Sequence, residues 1–301
     1  MSELTRRVLS AVIAAPLGIW AVLAGDWPLA ALLAVASALA AWEFFRVARA
    51  AGSNPFADVG MALAGLIPLA VHAHFLDLYT VRSPLAAAVL LALLAGSIWA
   101  RGVGGRPLTA AAVTVLGVLY TGGLLSFGYA LRYHDTVRFY DALPASSRPQ
   151  LAGIGIAPGG MLLLTPVLLT WASDIGAYFV GRTVGGRKLI PAVSPGKTVS
   201  GAVGGLLASI AVAWVAGRVL LPRFAQLAFS PVGVIVFGAV ISVAAQVGDL
   251  FESLLKREAG VKNSSSLIPG HGGVLDRLDS LFFALPTAYL LADWLLIRAP
   301  R

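Results

Sequence analysis

MSELTRRVLSAVIAAPLGIWAVLAG, residues 1–25, followed at once by a second apolar run from Trp27 to Ala41, decides what kind of protein this is. A basic start and an apolar run also mark a secretory leader, but a leader ends at a small-residue cleavage site ahead of a soluble domain. Here another apolar run opens immediately, so the stretch reads as two uncleaved membrane spans. Working outward, further apolar runs lie at about Val59–Phe75, Pro84–Trp99, Leu108–Ala130, Gly160–Val180, Gly201–Leu221, Pro231–Val247 and Ser280–Ile297. Each approaches the roughly 20 residues that a bilayer crossing needs, and together they predict an all-α, polytopic membrane protein with about nine transmembrane helices.

Composition agrees. The 301 residues are 58% hydrophobic and only 12% charged, with mean hydropathy +0.85, whereas a soluble domain carries about 25% charged residues. The lack of cysteine excludes disulfides, thiolate nucleophiles and cysteine-held metal. A net charge of +8 would suggest nucleic acid in a soluble protein, but here Lys and Arg fall mainly in short loops. There they set orientation and meet headgroups or phosphates, so nucleic acid is disfavoured. With a cytoplasmic N-terminus, 14 of the 22 Lys and Arg fall inside and 8 outside. That split predicts a multi-pass protein of the inner, cytoplasmic membrane with its C-terminus outside.

The polar chemistry is uneven. Residues 1–130 read as transmembrane scaffold, 131–158 as an outer connecting loop, and 159–301 as the region holding a cytoplasm-facing polar site. In GDLFESLLKR, Gly248–Arg257, helical spacing gathers Asp249, Glu252, Ser253 and Lys256 into one polar stripe. An amphipathic surface helix with internal ion pairs explains that spacing equally well. LIPGHGGVLDRLDS, Leu267–Ser280, sets Gly270, Gly272 and Gly273 before a helix that presents Asp276 and Asp279. Such a turn can offer backbone N–H groups to phosphate, and Asp276 with Asp249 would make a hard oxygen site of the kind Mg²⁺ accepts. Carboxylates leading straight into an apolar span are costly there and usually functional. At the inner end of another span, Trp171, Asp174 and Tyr178 share a face, ahead of a loop carrying Arg182, Arg187, Lys188 and Lys197. That loop suits polyanions, although positive-inside topology alone would also account for it. A single His271 is a poor metal argument and reads as a loop-organising hydrogen bonder. His72, His74 and His134 suggest no role, and Asp293 is an intramembrane charge whose partner the sequence does not name.

At Ser253, Lys256, Arg257, Lys262, Pro269, His271, Gly272, Gly273, Asp276, Arg277 and Asp279 the chain resembles the C-terminal signature of the phosphatidate cytidylyltransferase (CDP-diacylglycerol synthase) family. The match is in register and extends upstream through Trp171, Asp174, Tyr178, Gly181, Lys188, Pro191, Pro195, Lys197 and Thr198. The N-terminal half agrees only in hydropathy and in the Trp42-Glu43-Phe44 end of its second span. Two departures are Asn263, where the family usually has an acidic residue, and Ser200, where it often has Glu. The resemblance implies a nucleotidyltransferase that joins CTP to phosphatidic acid, giving CDP-diacylglycerol and pyrophosphate, embedded among membrane lipids. It implies Asp249 and Asp276 as Mg²⁺ ligands, with room for a second cation such as K⁺. Lys256 and Arg257 would bind phosphate; Lys188, Lys197, Lys262, Arg277, Asp174 and His271 would serve the substrates. Glu252 and Asp279 would be supporting carboxylates, and the resemblance admits a homodimer. The competing readings are a CDP-alcohol phosphotransferase, whose Asp-x-x-Asp-Gly fingerprint is missing, and a polytopic transporter of an anionic substrate. Transporters often show paired halves with interrupted helices, whereas here the polar density lies in one half.

Overall fold

The structure is a computed structural model that describes residues 3–78, 83–137, 150–151, 154–155, 158–268, 270 and 272–298. It is built almost wholly of helices: α1 Glu3–Ala24, α2 Asp26–Ala50, α3 Ala57–Phe75, α4 Ser83–Ala100, α5 Pro107–Gly117, α6 Leu124–Arg132, α7 Pro158–Thr183, α8 Val199–Val215, α9 Leu221–Ala225, α10 Pro231–Glu258, α11 Leu275–Leu278 and α12 Leu281–Leu295. Wider π-turns at Val118–Gly123 and Ala216–Leu220 join α5 to α6 and α8 to α9. Most of the connecting loop 131–158, together with Pro269 and His271, lies outside the described residues.

Among the described residues, six helices are long and apolar enough to cross a membrane: Asp26–Ala50, Ala57–Phe75, Pro107–Val137, Pro158–Thr183, Val199–Ala225 and Pro231–Glu258. The protein is therefore polytopic. The other three stretches expected to span are also helical, but Ala14–Ala24 and Pro84–Ala100 are shorter apolar helices, and α12 has 15 residues. At 1.5 Å per residue α12 reaches only about 22 Å. By contrast α10, at 28 residues, reaches about 42 Å, longer than a hydrocarbon core of roughly 30 Å.

The length of α10 corrects one expectation. The apolar run expected to close at Val247 does not end there, and Asp249 lies in the C-terminal half of one continuous helix. A helix dipole offers it no help there. The polar stripe is unevenly exposed: Glu252 is 0% exposed while Asp249 and Ser253 are partly exposed.

The chain folds as two compact units. The first comprises residues 1–14, 29–129 and 255–278. Its packing rests on flat aromatics over small residues: Phe45 is fully buried, and a Cβ on Gly117 would fall 2.5 Å from its ring. His72 Nδ1 and Tyr129 Oη lie 2.6 Å apart inside the unit, so His72 is a structural hydrogen bonder.

The second unit comprises residues 15–28, 130–254 and 279–301. Its main seam is α7 against α8, where small residues let the two backbones touch: a Cβ on Gly176 would meet Gly204 O at 2.7 Å, and one on Gly205 would meet Ser173 O at 2.7 Å. Close approach of small residues is how helices associate where lipid supplies no hydrophobic drive. Ser173 and Ser242 hydroxyls meet at 2.8 Å, and Gln246 donates to Ser242 Oγ at 3.0 Å and to Ala202 O at 3.2 Å. The basic loop expected to carry Lys188 and Lys197 contains an antiparallel hairpin of β1 Lys188–Ile190 and β2 Ser194–Thr198. Thr198 then caps α8, accepting from Gly201 N at 3.0 Å. Asp293 finds a partner in buried His134, with Nε2 to Oδ1 of 3.3 Å.

Candidate active site

In the first unit the signature segment folds around Asp276, which lies in the first turn of the short helix α11. Its Oδ1 accepts from Lys256 Nζ at 2.8 Å and from Ser264 N at 3.2 Å. Its Oδ2 accepts from Gly273 N at 2.7 Å and Ser264 N at 3.2 Å, and lies 3.0 Å from Ser264 Oγ, whose one proton it shares with Glu43 Oε2. The side chain is 6% exposed. A buried carboxylate must be satisfied by donors, and this one draws on backbone, hydroxyl and ammonium together. Glycines make the turn possible. Gly272 has φ +82°, a conformation that a side chain resists, and a Cβ there would sit 2.6 Å from Asp276 Oδ2.

Sequence reasoning missed a residue in this cluster. Glu43, in α2 and 0% exposed, accepts from Ser265 Oγ at 2.6 Å and Val274 N at 3.0 Å on Oε1, and from Ser264 Oγ at 3.0 Å and Leu275 N at 2.6 Å on Oε2. The cluster thus draws on the half of the chain that was read as scaffold. The available signal was an acid at the end of an apolar span, where charge needs a reason.

In the second unit Asp249 Oδ2 lies 2.5 Å from Lys197 Nζ, both side chains about one-third exposed. Ser253 Oγ stands 3.5 Å from Oδ1. The hairpin aims Lys197: it directly precedes Thr198, which pairs with Lys188 in the ladder and caps α8. Ser200, one of the two departures from the family pattern, donates from Oγ to Gly185 O and ties the base of the hairpin to α8. The other, Asn263, is exposed. Gly248 lets α10 meet the start of α12, since a Cβ would fall 2.5 Å from Asp279 O. Asp279 itself accepts from Ser280 N at 2.6 Å. Asp174 sits on an exposed face of α7 with Trp171 and Tyr178.

The structure therefore brings Lys256 to Asp276 in one unit and Lys197 to Asp249 in the other. Lys188, Arg257, Lys262 and Arg277 are exposed. Among the described residues no group of three or more His, Asp or Glu gathers as a metal site. Carboxylate oxygens are the donor type a hard cation takes, and here each Asp holds a lysine ammonium against one of them.

The model of the Cytidylyltransferase family matches residues 5–295. Phosphatidate cytidylyltransferase of Synechocystis sp. is 32% identical over 303 residues, covering 97% of each chain. The enzymes of the same name from Haemophilus influenzae and Bacillus subtilis are 46% and 43% identical over 132 and 124 residues, 42% and 41% of this chain and 44% of each relative. The chain belongs to the cytidylyltransferase family.

Proposed function

We propose that this protein transfers the cytidylyl group of CTP to phosphatidic acid, giving CDP-diacylglycerol and pyrophosphate for phospholipid synthesis. The observation that carries this reading is the similarity to a phosphatidate cytidylyltransferase along 97% of both chains. A phosphatidate oxygen attacks the α-phosphorus of CTP, a new P–O bond forms, and the α–β bridging bond breaks. No general base is required, because a phosphate monoester is already ionised near neutral pH. What the protein must do is hold two polyanions in line and offset charge on the leaving group.

Asp249 and Asp276 are the carboxylates proposed to hold Mg²⁺, with K⁺ as a second cation, and Lys256 completes the catalytic group. When bound, the cation supplies positive charge to the phosphate oxygens as pyrophosphate departs. Lys197 and Lys256 exchange their Asp contacts for substrate phosphate, while Lys188, Arg257, Lys262, Arg277, Asp174 and His271 complete the binding surface. Glu252 and Asp279 support these groups. The arrangement proposed in the cytoplasmic membrane has nine spans, an inner N-terminus, an outer C-terminus and a homodimeric assembly. The 14-to-8 split of basic residues supports the orientation.

Purified protein given CTP labelled in its α-phosphate, phosphatidate and Mg²⁺ should place label in the lipid phase and release pyrophosphate, and a chelator should stop both. Lipid that stays unlabelled at every cation concentration would reject the reading.

A further inference from the structure

Glu43 is the most heavily bonded acid of α2, and the transfer chemistry gives it no task. It is 0% exposed, and among the described residues its donors belong to the segment Ser264–Leu275, 221 to 232 residues away in sequence. Ser264 is the link. Its hydroxyl lies 3.0 Å from Glu43 Oε2 and 3.0 Å from Asp276 Oδ2, while its backbone N–H reaches both oxygens of Asp276 at 3.2 Å. Gly273 shows how tightly the parts fit: its N–H holds Asp276 Oδ2, and a Cβ on it would collide with Ser264 Oγ and Glu43.

We propose that Glu43 is a positioning residue for cytidylyl transfer: it clamps the Ser264–Leu275 segment so that Asp276 is presented in a fixed geometry. This rests on the function proposed above. Each carboxylate oxygen accepts one hydroxyl and one backbone N–H. A hydroxyl can turn its proton away, but a backbone N–H cannot. An amide in place of the carboxylate must therefore point its NH₂ at Val274 N or Leu275 N whichever way it flips. Glu43→Gln is thus nearly isosteric and still opens the clamp.

The test compares full-length wild type, Glu43→Gln, Ser265→Ala and Ser264→Ala by hydrogen exchange over residues 264–276 and by steady-state kinetics. In Glu43→Gln the exchange should quicken at Val274 or Leu275 and also at Gly273, whose N–H bonds Asp276 and not Glu43. Its kcat should fall roughly 10- to 100-fold, the range for groups that orient an active-site ligand, with KM for CTP within about twofold, as expected when an orienting contact rather than substrate binding is lost. Ser265→Ala, which removes one donor, should give an intermediate loss if the Gln variant proves too unstable to purify. Glu43→Gln combined with Ser264→Ala should cost less than the product of the two, since both act through one link. Wild-type kcat per folded molecule in Glu43→Gln, or unchanged exchange at Gly273, overturns the proposal. If wild type labels no lipid, it is the assigned reaction that fails, and the exchange comparison alone decides whether the clamp exists.

Discussion

Asp276 and Asp249 carry the same carboxyl group in opposite settings. Asp276 is 6% exposed and takes bonds from Lys256, Ser264 and Gly273, with the last two donating through the backbone. Asp249 is 32% exposed and meets side chains, Lys197 at 2.5 Å and Ser253 at 3.5 Å. The first is part of the frame of its own segment. The second is tethered to a hairpin lysine that can leave without disturbing a backbone bond. Two acids proposed for one chemical task thus differ in what else depends on them.

The largest effect should come from Asp276→Asn, which removes an acceptor from the buried cluster and breaks the ion pair with Lys256. Breaking a buried pair this way costs about 3 kcal/mol, to be read as faster hydrogen exchange over residues 264–276. Activity should drop by more than roughly 100-fold in the same variant. Asp249→Asn should lose activity on a similar scale while its melting temperature stays within about a degree, because a partly exposed pair contributes roughly 0–1 kcal/mol. If Asp249→Asn melts as early as Asp276→Asn, the contrast between the two acids is wrong. Lys197→Ala should cost less, about 1.5–3 kcal/mol for a lost bond to a charged group, seen as roughly a 10- to 150-fold fall in kcat/KM at unchanged stability. The smallest functional effect should come from Gly204→Ala. Its Cβ would sit 2.6 Å from Val180 Cγ2 and 3.0 Å from Gly176 O, so it should lower the melting temperature through about 1–3 kcal/mol of overpacking and leave kcat per folded molecule unchanged.

Much of this was legible in the sequence, for physical reasons that also set its limit. Apolar runs located helices at all nine expected places, because a spanning helix must be apolar for most of its length. Boundaries were harder. Nothing in the step from AAQV to GDLF requires a break at Val247, and α10 simply continues while its surroundings change from apolar to polar. The hairpin at Lys188–Thr198 was hidden behind Pro191 and Pro195, which read as plain loop. Asp276 and Lys256 stood out because they lie among glycines and basic residues. Glu43 did not, because its donors lie more than 200 residues away in sequence, and spacing along one helix carries no trace of them. Asp293 was visible as an anomaly, but His134 could be named its partner only once the chain was folded.

The most direct test measures cytidylyl transfer against Mg²⁺ concentration for wild type, Asp249→Asn, Asp276→Asn and the double variant. The account predicts that each single variant loses more than roughly 100-fold, and that the double is little worse than either, as for residues acting as a unit. Near-wild-type activity in either single variant, at the wild-type Mg²⁺ requirement, would contradict it.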